Sequence, residues 1–448
     1  MPRIVAFTKD WNDVPTCTTH VLRGMGRSLP VLWIESIGTR KPNLASPGDL
    51  SRVWRKLRSV ATRAELKENN LRVLAPVLIP KTESAAGRFI NRCLMRWMIR
   101  RELHRMGGEG RVEYWCFVPN AVDLLPGVRC QPSGRFPDAG YRMEQSQAKS
   151  ASGIRHPASG FSEEVSGVRC QKDGDRCVSG RALNERTVVV HRSPPATGHS
   201  PLVVYYCVDD WSQFHNLDGA WLARKEEEIL KRADVVFTPA RHLEEKCRRA
   251  AGGRVHYMPH GVEHAAFARA LSAETVAPAD VAGLRRPVIG FYGNLHPWVD
   301  FGLVGALARR RPQWSFVLIG EVFCDVSPAA APGNVHFLGR REHGVLPDYC
   351  KAFDAAMIPY DMKQARMASV NPVKTKELLA AGVPIAAADV PELRGYGEDV
   401  LICRGVDEWE AALAKQIARA DRREISARVA GEDWTEKIAA MRRIVEAS

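Results

Sequence analysis

The stretch NPVKTKELLAAGVP, residues 371–384, follows a short apolar run, FDAAMIPY (353–360), and a polar loop. It begins with Asn371, a typical helix-capping residue, then Pro372 at the first helical position, and it reaches Gly382, a typical helix terminator. The pattern predicts a short helix from Asn371 to Ala381 beyond the carboxyl end of a parallel strand. Doubly wound sheets bind phosphorylated ligands at such positions, because free backbone N–H groups and the helix dipole attract anions.

Two side chains of this stretch carry charge near the predicted anion site. Lys374 adds a cation in the first turn, and Glu377, three residues later, lies on the same face of the helix. A carboxylate in that position can accept hydrogen bonds from a ribose diol. The same spacing fits an ordinary surface ion pair between the two residues, worth about 0.2–0.5 kcal/mol. Spacing alone leaves both interpretations open.

Outside this stretch, strand-like apolar runs alternate with helix-like segments in two series. The first series consists of RIVAF (3–7), PVLWIES (30–36), LRVLAPV (71–77), VEYWCFVP (112–119), PLVVYYCVDD (201–210), ADVVFTPA (233–240) and GRVHYMPHGV (253–262). The second consists of PVIGFYGN (287–294), WSFVLIGE (314–321), NVHFLG (334–339), DAAMIPY (354–360), VPIAAADV (383–390) and DVLICRG (399–405). Short apolar runs with helices between them predict parallel sheets covered on both faces. We therefore expect two doubly wound α/β domains.

A segment of different composition interrupts the first series. Residues 126–200 contain 25 Gly, Ser or Pro residues but only one Leu, one Ile and no Trp. This is too little apolar surface to offset the entropy of ordering the chain, so we predict a disordered insertion over 126–199. It repeats short units such as GVRCQ, which fits either a binding tail or a surface loop enlarged by duplication.

The overall composition is that of an ordinary globular protein, with 45% hydrophobic and 26% charged residues. No run of eighteen apolar residues and no signal-peptide pattern is present, so we expect a cytoplasmic protein without a membrane span. None of the eleven cysteines forms a Cys-x-x-Cys pair. We expect reduced, mostly buried thiols and no metal site built from cysteine.

The net charge of +13 is concentrated between residues 51 and 111, which contain 15 Lys or Arg and 5 Asp or Glu. A helix over 88–100 would place Arg88, Arg92 and Arg96 on one side and apolar residues on the other, namely Phe89, Ile90, Cys93, Leu94, Trp97 and Met98. The basic face can be a solvated surface or a patch that binds anionic lipid. No nucleic-acid motif accompanies it, so we expect no nucleic-acid partner.

Several motifs, taken in order, resemble the retaining GT-B glycosyltransferases of the family 4, or group 1, superfamily. They are ADVVFTPARHLEEKC (233–247), HYMPHGVEHAAFARA (256–270), PVIGFYGNL (287–295), WSFVLIGE (314–321), NVHFLGRR (334–341), FDAAMIPY (353–360) and NPVKTKELLAAGVPIAAAD (371–389). The resemblance covers most of the chain outside 126–200. It implies two Rossmann-like domains facing across a cleft, formed by residues 1–125 with 200–270 and by 285–425. The final segment, 426–448, would be a helix that returns to the first domain.

In that family the C-terminal domain holds a nucleotide-sugar, and its site motif is a Glu, seven residues and a second Glu that binds the ribose. Glu377 matches the second Glu, whereas Ser369 stands in place of the first. A basic residue usual after the first glycine loop is also absent, since His296 and Trp298 occupy that region. The resemblance implies donor contacts from Glu377, Lys374, Asn371, Ser369, Val370, Gly293, Asn294 and Gly261.

The segment TKDWNDVPTCTTHVLRGMGRSLPVLWIES (8–36) resembles the family's loop after the first strand, and the resemblance implies that this loop and the end of the strand PLVVYYCVDD form the acceptor side of the cleft. Asp10, Trp11, Thr18 and Thr19 are predicted near the acceptor, and the candidate catalytic residues are His20, Asp209 and Asp210. Each has a plainer interpretation: His20 as a polar residue at a helix start, and the two aspartates as a turn that caps the next helix.

The resemblance implies transfer of a sugar from a nucleotide-sugar to a glycan or lipid-linked acceptor with retention of configuration. It implies no metal and no cofactor besides the donor. An oxidoreductase would need a Gly-x-Gly-x-x-Gly turn, which neither FTKDWNDVP (7–15) nor FYGNLHPWV (291–299) supplies. A catalytically silent GT-B subunit that binds another transferase stays open, because the first Glu of the motif is absent.

Overall fold

Two sheets of mainly parallel strands form the frame of this computed structural model. It describes residues 1–13, 15–36, 64–68, 70–76, 85–108, 110–126, 200–213 and 218–448. The predicted insertion at 126–199 therefore lies almost entirely outside the described residues. Within them, no helix is both long and apolar enough to cross a membrane.

The first sheet has eight strands among the described residues, in the order β3-β4-β2-β1-β5-β6-β7-β8. Their bounds are β1 Arg3–Phe7, β2 Val31–Ile34, β3 Glu65–Glu68, β4 Leu71–Leu74, β5 Val112–Cys116, β6 Leu202–Tyr206, β7 Val235–Thr238 and β8 Val255–Tyr257. All neighbours pair in parallel except β3, which pairs antiparallel with β4. The sequence did not predict β3, because this edge strand is exposed and polar and has no apolar run.

The second sheet has six parallel strands among the described residues, in the order β11-β10-β9-β12-β13-β14. Their bounds are β9 Val288–Tyr292, β10 Ser315–Ile319, β11 Val335–Gly339, β12 Ala355–Ile358, β13 Ile385–Ala388 and β14 Val400–Cys403. All six correspond to apolar runs of the second predicted series, because strands covered on both faces need continuous apolar sequence.

Helices connect the strands and cover both faces of each sheet. The α-helices are α1 Cys17–Gly26, α2 Ala85–Met106, α3 Gly219–Arg232, α4 Arg241–Ala251, α5 His264–Ala268, α6 Ala279–Ala282, α7 Phe301–Arg310, α8 Ser327–Ala330, α9 Leu346–Ala352, α10 Val373–Ala380, α11 Val406–Ile417, α12 Arg422–Arg428 and α13 Trp434–Glu446. Short 3₁₀ helices span Pro119–Leu124, Trp211–Gln213, Gly252–Arg254, Arg269–Leu271, His343–Val345, Ala365–Ser369, Pro391–Asp399 and Ala430–Glu432.

Alternate residues of β1 show why the first sheet is covered on both sides. Val5 and Phe7 belong to one buried apolar cluster, whereas Ile4 and Ala6 belong to another. Successive side chains of a strand point to opposite faces, so the two clusters are the two faces of the sheet. The predicted doubly wound α/β architecture is therefore confirmed.

The last helix, α13, packs against the first sheet, as predicted. The chain returns beside Val262, whose N–H donates to Glu432 O at 3.0 Å and whose carbonyl accepts from Trp434 N at 3.1 Å. Further along α13, Arg442 pairs with Glu113, a fully buried carboxylate on β5. Helix α13 thus packs on the same sheet to which β1 belongs.

The prediction for the basic helix is wrong in its orientation. In α2, Arg92 lies 3.9 Å from Asp123, and Arg96 donates to Leu125 O at 3.4 Å. Both arginines therefore face the protein, while the predicted apolar side is largely exposed: Phe89 is 54%, Ile90 49% and Trp97 52% accessible, and Cys93 is exposed too. Met98 of that side is buried and Leu94 is partly buried, and the helix also buries Met95 and Ile99. The side chain of Arg88 lies outside the described residues.

The pair between Arg442 and Glu113 generates a stability prediction. Glu113 also accepts from Trp115 Nε1 at 3.1 Å, and Arg442 Nη2 donates to it at 3.1 Å. Arg442→Met removes the closer of two cations from this buried carboxylate, since Arg111 Nη2 lies 3.8 Å from Glu113 Oε1. We therefore expect a loss of about 1.5–3 kcal/mol in the free energy of unfolding, the range for a lost hydrogen bond to a charged group, measured by chemical denaturation.

Arg443→Met is the matched control, since Arg443 is the next residue of the same helix and is exposed. We expect it to change the free energy of unfolding by no more than about 0.5 kcal/mol. Equal effects from the two variants would show that the ion pair does not hold α13 in place.

Candidate functional site

A cleft of about 500 Å³ lies between the loops that follow strands of the two sheets. Loops after β1, β5 and β6 contribute Thr8, Phe117 and Asp209 from the first sheet. Loops after β9, β10, β11 and β12 and the start of α10 contribute from the second. This is the edge at which doubly wound sheets bind ligands, because the N-termini of the following helices lie there.

The N-terminus of α10 forms one wall of the cleft, but its cap differs from the prediction. The helix begins at Val373 with Pro372 in the capping position, and Asn371 lies outside it. The Asn371 side chain donates from Nδ2 to Pro239 O at 2.8 Å, so it links the two domains instead of capping the helix. Gly382 follows the helix with a φ of +71°, a conformation that glycine adopts easily, as expected of a helix terminator.

Lys374 lies in the first turn of α10 and lines the cleft. Its Nζ is 4.2 Å from the ring centroid of Phe291 and 5.5 Å from that of Tyr360. It forms no ion pair with any described residue. The rings hold the cation by cation–π attraction and leave its charge available to an anion in the cleft.

Gly293 explains how Lys374 reaches this position. A Cβ added at Gly293 would lie 2.4 Å from Lys374 Nζ, and the glycine has a φ of +133°. A larger residue would therefore displace the lysine and strain the backbone. Asn294, the next residue of this loop, also lines the cleft.

Glu377 is buried and held by two hydrogen bonds. Tyr292 Oη donates to Glu377 Oε2 at 3.0 Å, and His343 Nε2 lies 2.8 Å from Glu377 Oε1. The carboxylate therefore does not form the surface ion pair with Lys374 that spacing left open. Both oxygens keep lone pairs for a further donor, since each carboxylate oxygen can accept two hydrogen bonds.

The surroundings of Glu377 shift the pKa of both of its partners. Burial, with the charge of Glu377, raises the pKa of Tyr292 well above its ordinary value, so the phenol remains a donor. Burial alone would lower the pKa of His343, but the hydrogen bond to Glu377 and the charges of Glu377 and Glu263 raise it overall. The histidine is thus stabilised in its protonated form beside the carboxylate.

Ser369 and Val370 also line the cleft, next to the start of α10. Ser369 Oγ donates to Arg366 O at 2.8 Å, so the hydroxyl that replaces the first Glu of the family motif is engaged with its own turn. Arg366 itself reaches across the cleft and donates to Asp209 Oδ2 at 3.0 Å. Its guanidinium carbon is 4.5 Å from the ring centroid of Trp298.

On the opposite wall, three of the predicted residues lie in the cleft: Thr18, His20 and Asp209. The ring of His20 stacks on Trp434 at 5.4 Å with an interplanar angle of 8°, and its Nδ1 is 3.5 Å from Glu263 Oε1. Burial raises the pKa of Asp209, although Arg366 opposes this shift. His20 and His343 come from opposite walls of the cleft. Their ring centroids are 5.8 Å apart, so the cleft is narrow at this point.

Asp210 and Gly261 do not line the cleft, and the predictions for them are wrong. Asp210 points into the first domain, where its Oδ1 accepts from Lys246 Nζ at 2.7 Å and from Ser212 Oγ at 2.7 Å. Burial alone would raise the pKa of Asp210, but these hydrogen bonds lower it. Gly261 permits a close approach to Trp434 rather than to a ligand, since an added Cβ would lie 2.7 Å from the indole.

Three of the four predicted acceptor-side residues have structural contacts away from the cleft. Asp10 Oδ1 accepts from Ser36 N at 3.0 Å. Trp11 packs edge-on against Trp33 at 5.2 Å. Thr19 Oγ1 accepts from Thr16 N at 3.2 Å, which caps the start of α1. Only Thr18 of this group faces the cleft.

Sequence reasoning missed several residues that line or border the cleft, namely Thr8, Lys9, Tyr292, His343 and Arg366. A partial signal existed for His343, because it follows the carboxyl end of a predicted parallel strand, where ligand-binding loops occur. Arg366 carried no comparable signal, since its partner Asp209 is far away in the sequence.

Comparison with known proteins gives a family match for the domain that contains the second sheet. Residues 286–421 match the family model of glycosyl transferases group 1. The chain is also similar to a protein of Bacillus subtilis (strain 168) named as a teichuronic acid biosynthesis glycosyltransferase, TuaH. The identity is 29% over 213 residues, which are 42% of this chain and 51% of that protein. The chain therefore spans about half the length of the curated relative that it matches.

Solved structures extend the likeness over the whole chain. Sucrose-phosphate synthase of Thermosynechococcus elongatus has a TM-score of 0.55 at 14% identity and is covered to 96%. Alr3699/HepE of Anabaena, solved with UDP and glucose, has a TM-score of 0.57 at 11% identity and is covered to 100%. A UDP-forming trehalose-phosphate synthase of Burkholderia xenovorans has a TM-score of 0.57 at 11% identity and is covered to 99%. All three cover 100% of this chain.

At these identities the structural likeness shows the fold alone, and that fold is GT-B. The predicted architecture is thereby confirmed. The resemblance to group 1 glycosyltransferases is confirmed for residues 286–421, which match the family model. Assignment to family 4 and retention of configuration stay predictions.

The contact between His343 and Glu377 generates a prediction of pH dependence. Because the folded state raises the pKa of His343, the histidine contributes stability that is complete below pH 6.5, its ordinary pKa, and is lost as the pH rises through the raised value. The free energy of unfolding of the wild type minus that of His343→Gln should therefore decrease from pH 6 to pH 8.

His336→Gln provides a control of opposite sign. Burial lowers the pKa of His336 on β11, so its contribution is present above pH 6.5 and is lost as the pH falls. Chemical denaturation of the three proteins at several pH values gives both differences. Parallel pH profiles for the two variants would contradict the assigned role of Glu377 as partner of His343.

Proposed function

We propose that this protein is a glycosyltransferase that transfers a sugar from a nucleotide-sugar to a glycan or lipid-linked acceptor with retention of anomeric configuration. We place it in the cytoplasm, in the synthesis of a bacterial surface polysaccharide or glycolipid. The observation that carries the proposal is the pairing of an available cation, Lys374, with an oriented carboxylate, Glu377, at the N-terminus of α10.

In this proposal Glu377 binds the ribose of the donor. Tyr292 and His343 fix the orientation of the carboxylate, so that its remaining lone pairs can accept from the two ribose hydroxyls. Orientation before binding reduces the entropy lost when the donor binds.

Lys374 and the N-terminus of α10 bind the diphosphate. When the bond between the sugar and the diphosphate breaks, negative charge develops on the leaving phosphate oxygen. A fixed cation and backbone N–H groups stabilise this charge without rearrangement, which is how preorganised sites lower a barrier. The nucleotide-sugar is the substrate, and no further cofactor or metal is part of the proposal.

His20 and Asp209 lie across the cleft, where the acceptor hydroxyl would approach the sugar. Glu263 and Trp434 hold the ring of His20, and Arg366 holds Asp209. These contacts fix both side chains beside the predicted donor site, as alignment of two substrates requires.

The comparisons support this proposal in two ways. TuaH is named for teichuronic acid biosynthesis, and HepE was solved with UDP and glucose. Uridine diphosphate is therefore our first choice of ligand. No comparison supports the alternative of a catalytically silent subunit.

The donor site can be tested by calorimetric titration with uridine and uridine diphosphate. Glu377→Gln exchanges a charged acceptor for a weaker neutral one, so we expect the affinity for both ligands to fall about ten- to a hundredfold, or about 1.5–3 kcal/mol. Lys374→Ala should weaken the diphosphate more than the nucleoside, because only the diphosphate carries the charge that the lysine binds.

Lys415→Ala is the control, since Lys415 is an exposed lysine of the same domain on α11. It should leave both affinities unchanged. If Glu377→Gln also bound both ligands as the wild type does, Glu377 would have no part in ribose binding and the proposal would lose its main support.

We also propose that the protein binds the inner face of the plasma membrane through the exposed apolar face of α2, formed by Phe89, Ile90, Cys93 and Trp97. Arg101 stacks over Trp97 at 4.8 Å, and Arg100 is exposed beside it. Aromatic side chains with neighbouring cations are typical of helices that lie in the headgroup region of anionic membranes. A lipid-linked acceptor would be reached from there.

This part is tested with the double variant Phe89→Ser and Trp97→Ser. Because these rings would enter the bilayer, we expect weaker sedimentation with vesicles that contain phosphatidylglycerol, while uridine diphosphate still binds normally. Val276→Ser is the control, as Val276 is 79% exposed and lies in the segment that joins the two domains. Unchanged vesicle binding by the double variant would refute a membrane role for α2.

A further inference from the structure

The wall of the cleft formed by the first domain contains a second polar site, at the N-terminus of α1. It is formed by Thr8 and Lys9, which follow β1, together with Thr16, Cys17 and Thr18 at the start of the helix. These residues belong to the first domain, whereas the residues of the proposed donor site belong to the second. None of the donor-site contacts involves them.

Thr8 is the least expected member of this group. Its side chain is buried, with 2% of the residue accessible, and its hydroxyl has no hydrogen-bond partner among the described residues. An unsatisfied buried hydroxyl costs about 1–3 kcal/mol, and such groups in native structures often mark a missing ligand or water. Because Thr8 lines the cleft, a ligand in the cleft can supply the missing partner.

Lys9, the next residue of the chain, brings a cation to the same wall of the cleft. The lysine is half-buried and lines the cleft. Burial lowers the pKa of Lys9 to about 8, although Asp13 opposes the shift. A cation that has lost part of its hydration gains most from an anion that replaces the water.

The start of α1 adds a third favourable element. This ten-residue helix directs the positive end of its dipole and its first N–H groups toward the side of the cleft that Thr16, Cys17 and Thr18 line. Burial raises the pKa of Cys17 to about 12, so its thiol is neutral and does not repel an anion. Asp209, a carboxylate that also lines the cleft, is paired with Arg366.

We infer that Thr8, Lys9 and the N-terminus of α1 bind an oxyanion, a phosphate ester or a carboxylate, that belongs to the acceptor. In this arrangement Lys9 supplies the charge, Thr8 donates one hydrogen bond and the helix N-terminus orients the group. The inference rests on the proposed function insofar as it assigns the anion to an acceptor. It restricts the acceptor to anionic saccharides or phosphate-linked lipids.

The test titrates inorganic phosphate and, separately, acetate into the 448-residue chain while uridine diphosphate saturates the donor site. Binding is followed by calorimetry and by the rise in melting temperature that a ligand of the folded state produces. The same titrations are repeated with Lys374→Met without nucleotide, so that the donor site is impaired in a second, independent way.

Two variants probe the site with little change of shape. Lys9→Met keeps most of the side-chain length but removes the charge, and we expect it to weaken phosphate or acetate at least about tenfold. Thr8→Val removes only the hydroxyl and should weaken the anion about three- to tenfold. Neither variant should change the affinity for uridine diphosphate.

Thr238→Val is a matched control. Thr238 is also fully buried with an unpartnered hydroxyl, but it does not line the cleft, so its variant should bind the anion as the wild type does. Preference for phosphate or for acetate tells which oxyanion the acceptor carries, and either result supports the inference.

The inference is overturned if neither anion binds, or if binding is insensitive to Lys9→Met and lost in Lys374→Met. Those results would leave the proposed function intact, because the donor site would still bind uridine diphosphate. Conversely, failure of uridine diphosphate to bind would refute the proposed function, whereas phosphate binding in Lys374→Met that depends on Lys9 would still establish the oxyanion site.

Discussion

Lys376 is the buried cation on which the arrangement of the molecule depends. Its Nζ donates to His260 O at 2.6 Å and to Glu432 Oε2 at 2.5 Å, so it joins α10 to two other segments of the chain. One segment leaves the first sheet and the other returns to it. Burial lowers the pKa of Lys376 although Glu432 opposes the shift, which shows how strongly the lysine is desolvated. A buried charge of this kind is tolerated only when its partners are in place.

Because Lys376 fixes α10, it also fixes what α10 presents to the cleft. Lys374, two residues earlier, has a cation held only by aromatic rings, and Glu377, one residue later, is held by Tyr292 and His343. Lys374, Lys376 and Glu377 therefore have different partners. Aromatic rings contact Lys374, a carbonyl and a carboxylate bind Lys376, and a phenol and an imidazole bind Glu377. Their difference arises from the direction in which each side chain leaves the helix, since residues two apart point to nearly opposite sides.

The sequence was sufficient for the sheets, apart from the exposed edge strand β3, and for helix α10, but much less so for the orientation of individual side chains. Apolar runs predicted the strands because buried parallel strands need them, and the motif around Glu377 predicted a short helix beyond the carboxyl end of a strand, which is α10. The same methods could not tell Lys374 from Lys376, because the partners of Lys376 come from distant segments. The prediction of which side of α2 faces solvent was also reversed. Arg92 and Arg96 were expected to face solvent, but they contact Asp123 and Leu125, which are distant in sequence. Asn371 lines the cleft as predicted but does not cap α10, and Asp210 does not line the cleft. Both errors have the same reason, since the partners of these residues, Pro239 and Lys246, are not neighbours in sequence.

The chain passes from the first domain to the second near Val262 and returns near Asp433. These two crossings lie side by side, since Val262 forms a parallel bridge with Asp433. Any rotation of one sheet against the other must therefore bend both crossings together. A single connecting segment would let one domain rotate about any axis relative to the other. Two connecting segments that are bonded to each other favour rotation about one axis, which passes through both. The stacking of Trp434 on His20 places that axis beside the cleft. Opening should then widen the far rim of the cleft most and leave the spacing between His20 and His343 nearly constant.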